Sequence, residues 1–296
     1  MQNRNDNKIR LFEGERWLIY TGVLGFILAL GIGVYILSHE AIILPEGNLE
    51  RAFSFNAAIG VFLLSIAAIM PLAQFTGRKR RNIRWTLIIV TLYSYAIETI
   101  QHFRGVNPRF TKEGSILDIV LGGLFGVASL ILVAIMLVFT VHFLRIKPPH
   151  SRPLILLGIR YAFLSVLVAN LAGIWMIAIQ SRFTGDTGNL IIVHGIAYHA
   201  LQTLLLPAWF LERSNIHARV KKNIHHIGSN AWLLMVLIIS VQTALGRSVF
   251  EWSILPIVAG CLLLIWVITM ATSFIIFLVT ILNITNNADN KKISDM

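Results

Sequence analysis

Cysteine is all but missing from this chain: Cys261 is the only one among 296 residues, and it lies inside an apolar block. A single thiol excludes an internal disulfide and a thiolate metal cluster. Charge is scarce as well. Only 13% of the residues are charged, about half the ~25% of an ordinary soluble domain. Long connections are lacking too, none between apolar blocks exceeding about 20 residues, which leaves no room for a soluble domain on either face. No motif of an established enzyme or transporter class occurs, and the HxxxH and HExxH spacings of zinc-hydrolase helices are absent around His194 and His199. Read residue by residue, the chain gives no evident internal repeat, so the repeat argument for a transporter has no support at this level.

What is present is hydrocarbon. Hydrophobic residues make up 56% of the chain and fall in blocks of bilayer-crossing length, separated by short stretches that hold nearly all the charge. The expected fold is therefore all-α, a polytopic transmembrane helical bundle. Its eight spans are read at 17–37, 53–75, 85–103, 117–144, 154–179, 189–211, 231–245 and 254–282. The block at 231–245 is the shortest, since its 15 residues at 1.5 Å each fall short of ~30 Å of hydrocarbon unless Gly228 to Asn230 extend it. The first block exceeds the ~7–15 residues of a signal h-region, and no small-x-small site follows it. It reads as an uncleaved span after a cytoplasmic segment 1–16, and 283–296, rich in Asn, Asp and Lys, reads as a disordered cytoplasmic tail.

Orientation follows from Lys and Arg counted in alternate connections, 18 on one side against 6 on the other, which places both termini in the cytoplasm. The strongest contribution is Arg78-Lys79-Arg80-Arg81 with Arg84. The net charge of +11 is thus a topology signal and a contact with anionic lipid head groups rather than a nucleic-acid footprint. The bilayer is the expected partner, and short loops with many isoleucines fit a bacterial cytoplasmic membrane.

Ionisable residues inside spans need a reason, because one at the bilayer centre costs ~2.5–3.5 kcal/mol on insertion scales. In the third span Thr91, Ser94, Tyr95, Glu98, Gln101 and His102 fall at helical spacing on one face. Such a stripe faces protein, water or a ligand. It serves either as interhelical glue, with Glu98 neutral or paired to His102, or as a ligand or proton site. The sixth span adds His194, Tyr198 and His199; His194 and Tyr198 share a face, while His199 lies about 140° from His194 around the helix. With the N-terminus inside, Glu98, Gln101, His102, Asp118, His194, His199 and Gln242 all fall in the external half of the membrane. Gly122, Gly123 and Gly126 mark a small-residue packing face. The segment His217 to His226 reads as a lipid-surface loop.

The external loop from Arg104 to Lys112 carries three cations on the depleted side. Arg104 and Arg109 suit an anionic group, whether a propionate, a phosphate or lipid head group, or the carboxylates of Glu98, Glu113 and Asp118. Three functional classes follow. One is haem or transition-metal binding, with His102 and His194 or His199 as ligands. Another is a proton-coupled transporter or channel using Glu98. The third is an intramembrane enzyme or metal-dependent hydrolase using Asp118 and the histidines around an activated water. A purely structural polar seam stands beside them.

Overall fold

The computed structural model describes residues 9–147 and 151–294, with side chains to residue 283. Eight helical segments are long and apolar enough to cross a membrane, as expected of a multi-pass membrane protein. They fall into two compact units, one running to His142 and one from Phe143 onward.

In the first unit, α1 (Arg16–Ile36) leads through a hairpin of β1 (Ile42–Ile43) and β2 (Gly47–Asn48) into α2 (Leu49–Ile69), which closes in a 3-10 turn (Met70–Ala73). Then come α3 (Gly77–Phe103) and α4 (Ile116–Arg145). In the second unit, α5 (Pro153–Ile179) leads through β3 (Phe183–Thr184) and β4 (Gly188–Asn189) into α6 (Leu190–Thr203) and α7 (Leu205–Arg213), which form one span broken at Leu204. Pro207 near that break can supply no helical N–H. Finally come α8 (Ala218–Ala244) and α9 (Ile254–Ser294).

These two lists describe one architecture twice, which overturns the expectation of no internal repeat. Ile42 pairs with Asn48, and Phe183 with Asn189. Asn48 caps α2 by accepting from the Arg51 N–H, and Asn189 caps α6 by accepting from the Ile191 N–H. The Leu49 N–H donates to Ala41, and the Leu190 N–H to Arg182, both at 2.8 Å. Glu46 and Thr187 donate their N–H to the carbonyls of Gly105 and Gly246 at 2.8 and 2.9 Å. Each corresponding pair stands 141 positions apart, and α3 and α8 are both 27 residues long.

Glycine makes the hairpin docking work. Gly105 and Gly246 have φ of +75° and +76°, a left-handed conformation that side chains resist. A Cβ on Gly47 would collide with the carbonyl of His102, and one on Gly188 would come within 2.7 Å of the carbonyl of Thr243. The repeat shows in the sequence only as short matched runs, Gly47-Asn48-Leu49 returning as Gly188-Asn189-Leu190 and Arg80-Arg81-Asn82-Ile83 as Lys221-Lys222-Asn223-Ile224, whereas Glu98 and His102 are not duplicated.

Other boundaries move. The seventh span begins at Ala218 rather than Gly228 or Ala231, taking in the polar stretch to His226 as helix, so that stretch is no loop. Helix α9 continues to Ser294, past residue 282 and through most of the tail expected to be disordered; residues 295–296 lie outside the described residues. Close helix crossing is provided by Gly22 against Gly60 in α1 and α2. Nothing lies within 4 Å of where a Cβ on Gly123 or Gly126 would stand, so no tight packing occurs at those two positions.

Candidate functional site

The polar stripe of α3 is buried in full: Thr91, Ser94, Tyr95, Glu98, Gln101 and His102. Around Glu98 the first unit assembles an ion cluster at its hairpin end. Glu98 Oε1 lies 2.7 Å from Arg109 Nη2 and 3.4 Å from His102 Nε2. His102 Nδ1 accepts the Asn48 backbone N–H at 3.1 Å. A backbone amide can only donate, so in the neutral ring the proton sits on Nε2, facing Glu98, and no lone pair remains for an outside ligand. One turn on, the Gln101 amide and Arg104 Nη1 donate to Asp118 Oδ1 at 2.9 and 2.6 Å. The Ser115 N–H and hydroxyl donate to Asp118 Oδ2 at 2.9 and 2.7 Å. Asp118 thereby ties the start of α4 to the end of α3.

Arg109 reaches Glu98 from the loop between α3 and α4. The rings of Phe55 and Phe125 stand 5.3 and 5.5 Å from its guanidinium carbon. The loop is shaped by Asn107, whose side chain accepts the N–H of Arg109 and Phe110. It is also moored to the hairpin through Glu46, which accepts from the Thr111 hydroxyl and the N–H of Lys112 and Asn107. Burial works to raise the Glu46 carboxyl, and the bonds from Thr111, Lys112 and Asn107 outweigh it, holding the group below the usual carboxylate range.

Several buried polar atoms of this unit have no hydrogen-bond partner among the described residues: Asn56 Oδ1, Thr91 Oγ1, the Tyr95 hydroxyl, Glu98 Oε2 and Arg109 Nε. Thr91, Tyr95 and Glu98 lie at helical spacing on α3, and seven residues at 1.5 Å each extend over roughly 10 Å. The Tyr95 hydroxyl crosses to the backbone of Gly25, where a Cβ would overlap it and would come within 2.7 Å of the Asn56 carbonyl. Three helices thus meet along a file of unsatisfied polar atoms with Glu98 at its hairpin end. No family model, no curated protein and no solved structure matches the chain.

The remaining expected residues belong to the second unit. His194 Nδ1 lies 2.8 Å from the Ala169 carbonyl, and the Tyr198 hydroxyl donates to Asn170 Oδ1 at 2.6 Å. The rings of His194 and Tyr198 meet edge-on, with centroids 4.9 Å apart. His199 is exposed on another face, beside Gln202 at 3.3 Å. The helical spacing foretold that split. Among the described residues no three or more His, Cys, Asp or Glu side chains gather as a metal-ion site would require.

Two clusters were missed in the sequence. Glu15 is fully buried and receives Arg80 Nε at 2.6 Å and Arg84 through Nε and Nη2 at 2.7 and 2.8 Å. The spacing of Arg80 and Arg84, one helical turn, was the available signal. In the second unit, buried His225 lies 3.4 Å from the Ser229 hydroxyl, while Tyr161 bonds His226 at 2.8 Å. Nothing in the local sequence separates His225 from its exposed neighbours except helical phase.

Proposed function

We propose that this chain is a proton-coupled membrane transporter in which Glu98 carries the proton. One observation bears most of the weight: Glu98 is wholly buried within a membrane-spanning helix, yet Oε2 has no partner and stands at the head of a file of similarly unpaired polar atoms. A seam that served packing alone would pair its polar atoms, because each buried unsatisfied group costs about 1–3 kcal/mol. Paired to Arg109, the carboxylate is stable as an anion; once Arg109 moves off, burial favours the protonated acid. The Tyr95 and Thr91 hydroxyls, able to donate and accept, offer a path along α3.

The duplicated architecture supports the same reading. Tandem repeats of spans are a recurrent construction of transporters, and here the Glu98 and His102 positions carry ionisable groups in one copy alone. Ile239 stands where the repeat would place Glu98, and Thr243 where it would place His102. With the hairpin ends outward, as the charge count reads them, Glu98 lies in the external half of the membrane. Haem or metal ligation by His102 is less well supported, since the ring must first surrender the Asn48 amide.

Proteoliposomes loaded with a pH-sensitive dye test this. Across a panel of small solutes, at least one should drive lumenal acidification, and Glu98→Gln should abolish it while eluting normally on gel filtration. Undiminished proton movement in a well-folded Glu98→Gln protein would sink the proposal.

A further inference from the structure

Of the three buried carboxylates that arginine holds in the first unit, Glu15 and Glu98 are held in contrasting ways, while Asp118 has both oxygens bonded. At one end of α3 Arg84 grips Glu15 with two donors, Nε on one oxygen and Nη2 on the other. This is the fork-on-fork geometry that makes an arginine pair both strong and specific. At the other end a single contact joins Arg109 Nη2 to Glu98 Oε1, leaving Glu98 Oε2 and Arg109 Nε buried without partners. Arg84 uses two prongs on its carboxylate. Arg109 uses one, from a loop, with its side chain 29% exposed and its guanidinium carbon near the Phe55 and Phe125 rings.

From this contrast we infer that the Arg109–Glu98 pair is an exchange site: Arg109 releases Glu98 to bind an incoming small anion, a carboxylate or phosphate, and Glu98 takes up a proton in the same step. The inference rests on the reading of Glu98 as the proton carrier and names the class of solute that accompanies the proton. Charge balances throughout. Before exchange the site holds a guanidinium and a carboxylate; afterwards it holds the guanidinium with the anion and a neutral carboxylic acid, so a singly charged anion enters with one proton. The open prong of Arg109 supplies the second donor that a carboxylate or phosphate accepts. The other groups around Glu98 do not compete for the role. His102 turns Nε2 toward Glu98 at 3.4 Å and is anchored by Asn48; Asp118 is bonded directly by Arg104 and Gln101; Asn56 of α2 is neutral.

The test is calorimetry on the purified full-length chain in nanodiscs of phosphatidylcholine, titrated with acetate and with inorganic phosphate in two buffers of different ionisation heat. The expected result is binding of at least one probe with net uptake of about one proton per anion. Glu98→Gln should bind the same anion without proton uptake. Arg109→Gln should weaken binding by roughly 30-fold or more, the effect of removing one partner of a charge-assisted pair. Arg109→Lys keeps the charge and the fold but lacks the fork, and should bind several-fold more weakly than the native protein.

Failure of both probes to bind, binding without proton uptake in the native protein, or native affinity in Arg109→Lys would each overturn the exchange. So would Arg109-dependent retention of phosphatidylglycerol in mixed-lipid discs with no binding of free anions, because the partner would then be a lipid head group. Coupled binding without flux in proteoliposomes would leave the exchange standing and remove the transport reading. Proton flux with a neutral solute and no anion binding would do the reverse.

Discussion

At the scale of single residues, the buried ions of this protein divide into those that fasten and those free to change partners. Glu15 fastens. It anchors the segment before α1 to Arg80 and Arg84, and removing its charge leaves two arginines at 26% and 17% exposure facing a buried amide. Glu15→Gln should cost about 2 kcal/mol, below the ~3–5 kcal/mol of a fully buried broken pair because both arginines reach water. Thermal unfolding in detergent measures this, with Arg78→Gln and Arg81→Gln as exposed controls expected within about 0.5 kcal/mol of the native chain. Equal melting of Glu15→Gln and the controls would remove the fastening role. Residue-scale legibility was partial for a geometric reason. Thr91, Tyr95, Glu98 and His102 share a helix, so spacing alone groups them. Arg109 is joined to Glu98 across a turn after Gly105, and Arg84 to Glu15 across two helices. Opposite charge on the depleted side pointed to the Arg109 and Arg104 pairings, but no periodicity specified which atoms they would leave unpaired.

Among the elements, the hairpin of β1 and β2 is the piece that converts sequence into site geometry. It presents Asn48 to His102 and Glu46 to the loop that carries Arg109, so its attachment governs the ion cluster. Glu46 gives this attachment a pH dependence of definite sign. Its folded-state pKa lies below the ordinary carboxylate value, so the bonds from Thr111, Lys112 and Asn107 stabilise the fold fully above that value and are lost as pH falls through the folded one. Native protein should therefore lose melting temperature as pH falls below the ordinary carboxylate value of 4.5, and Glu46→Gln should lose less over the same descent. Identical slopes for the two would show that Glu46 does not moor the loop. The element pattern also explains what was and was not legible. Six spans stand out because each carries a long apolar run. The other two open with charge that looks like a loop, α3 with Arg78 to Arg81 and Arg84, and α8 with Arg219, Lys221, Lys222, His225 and His226; α8 absorbs it because His225 turns inward while Lys221 reaches back to the Ser214 carbonyl at 2.6 Å.

For the whole molecule, the governing fact is that one four-span plan is used twice and, among the described residues, buried carboxylates lie in the first copy alone. With four candidate spans in each copy, the expected topology has both copies entering the membrane in the same direction, which is also how the alternate-connection charge count reads α1 and α5. This links two independent observations, the repeat of 141 positions and the imbalance of 18 cationic residues against 6. The link is testable by position. Fluorescent fusions placed after residue 147 and after residue 296 should both report the cytoplasm, while insertions within 111–114 and 185–187, at corresponding hairpin ends of the two units, should both report the opposite side. If 113 and 186 fall on different sides, the two copies are inverted, and the placement of Glu98 in the external half loses its basis. The same plan predicts that the chain cut in the 146–152 connection and co-expressed as two pieces inserts correctly, since each piece keeps its own hairpin, its glycine dock and its asparagine cap. Recovery of Glu98-dependent proton movement from the paired pieces, and from neither alone, is the expected outcome, because the first copy holds the carboxylate and the second completes the duplicated plan.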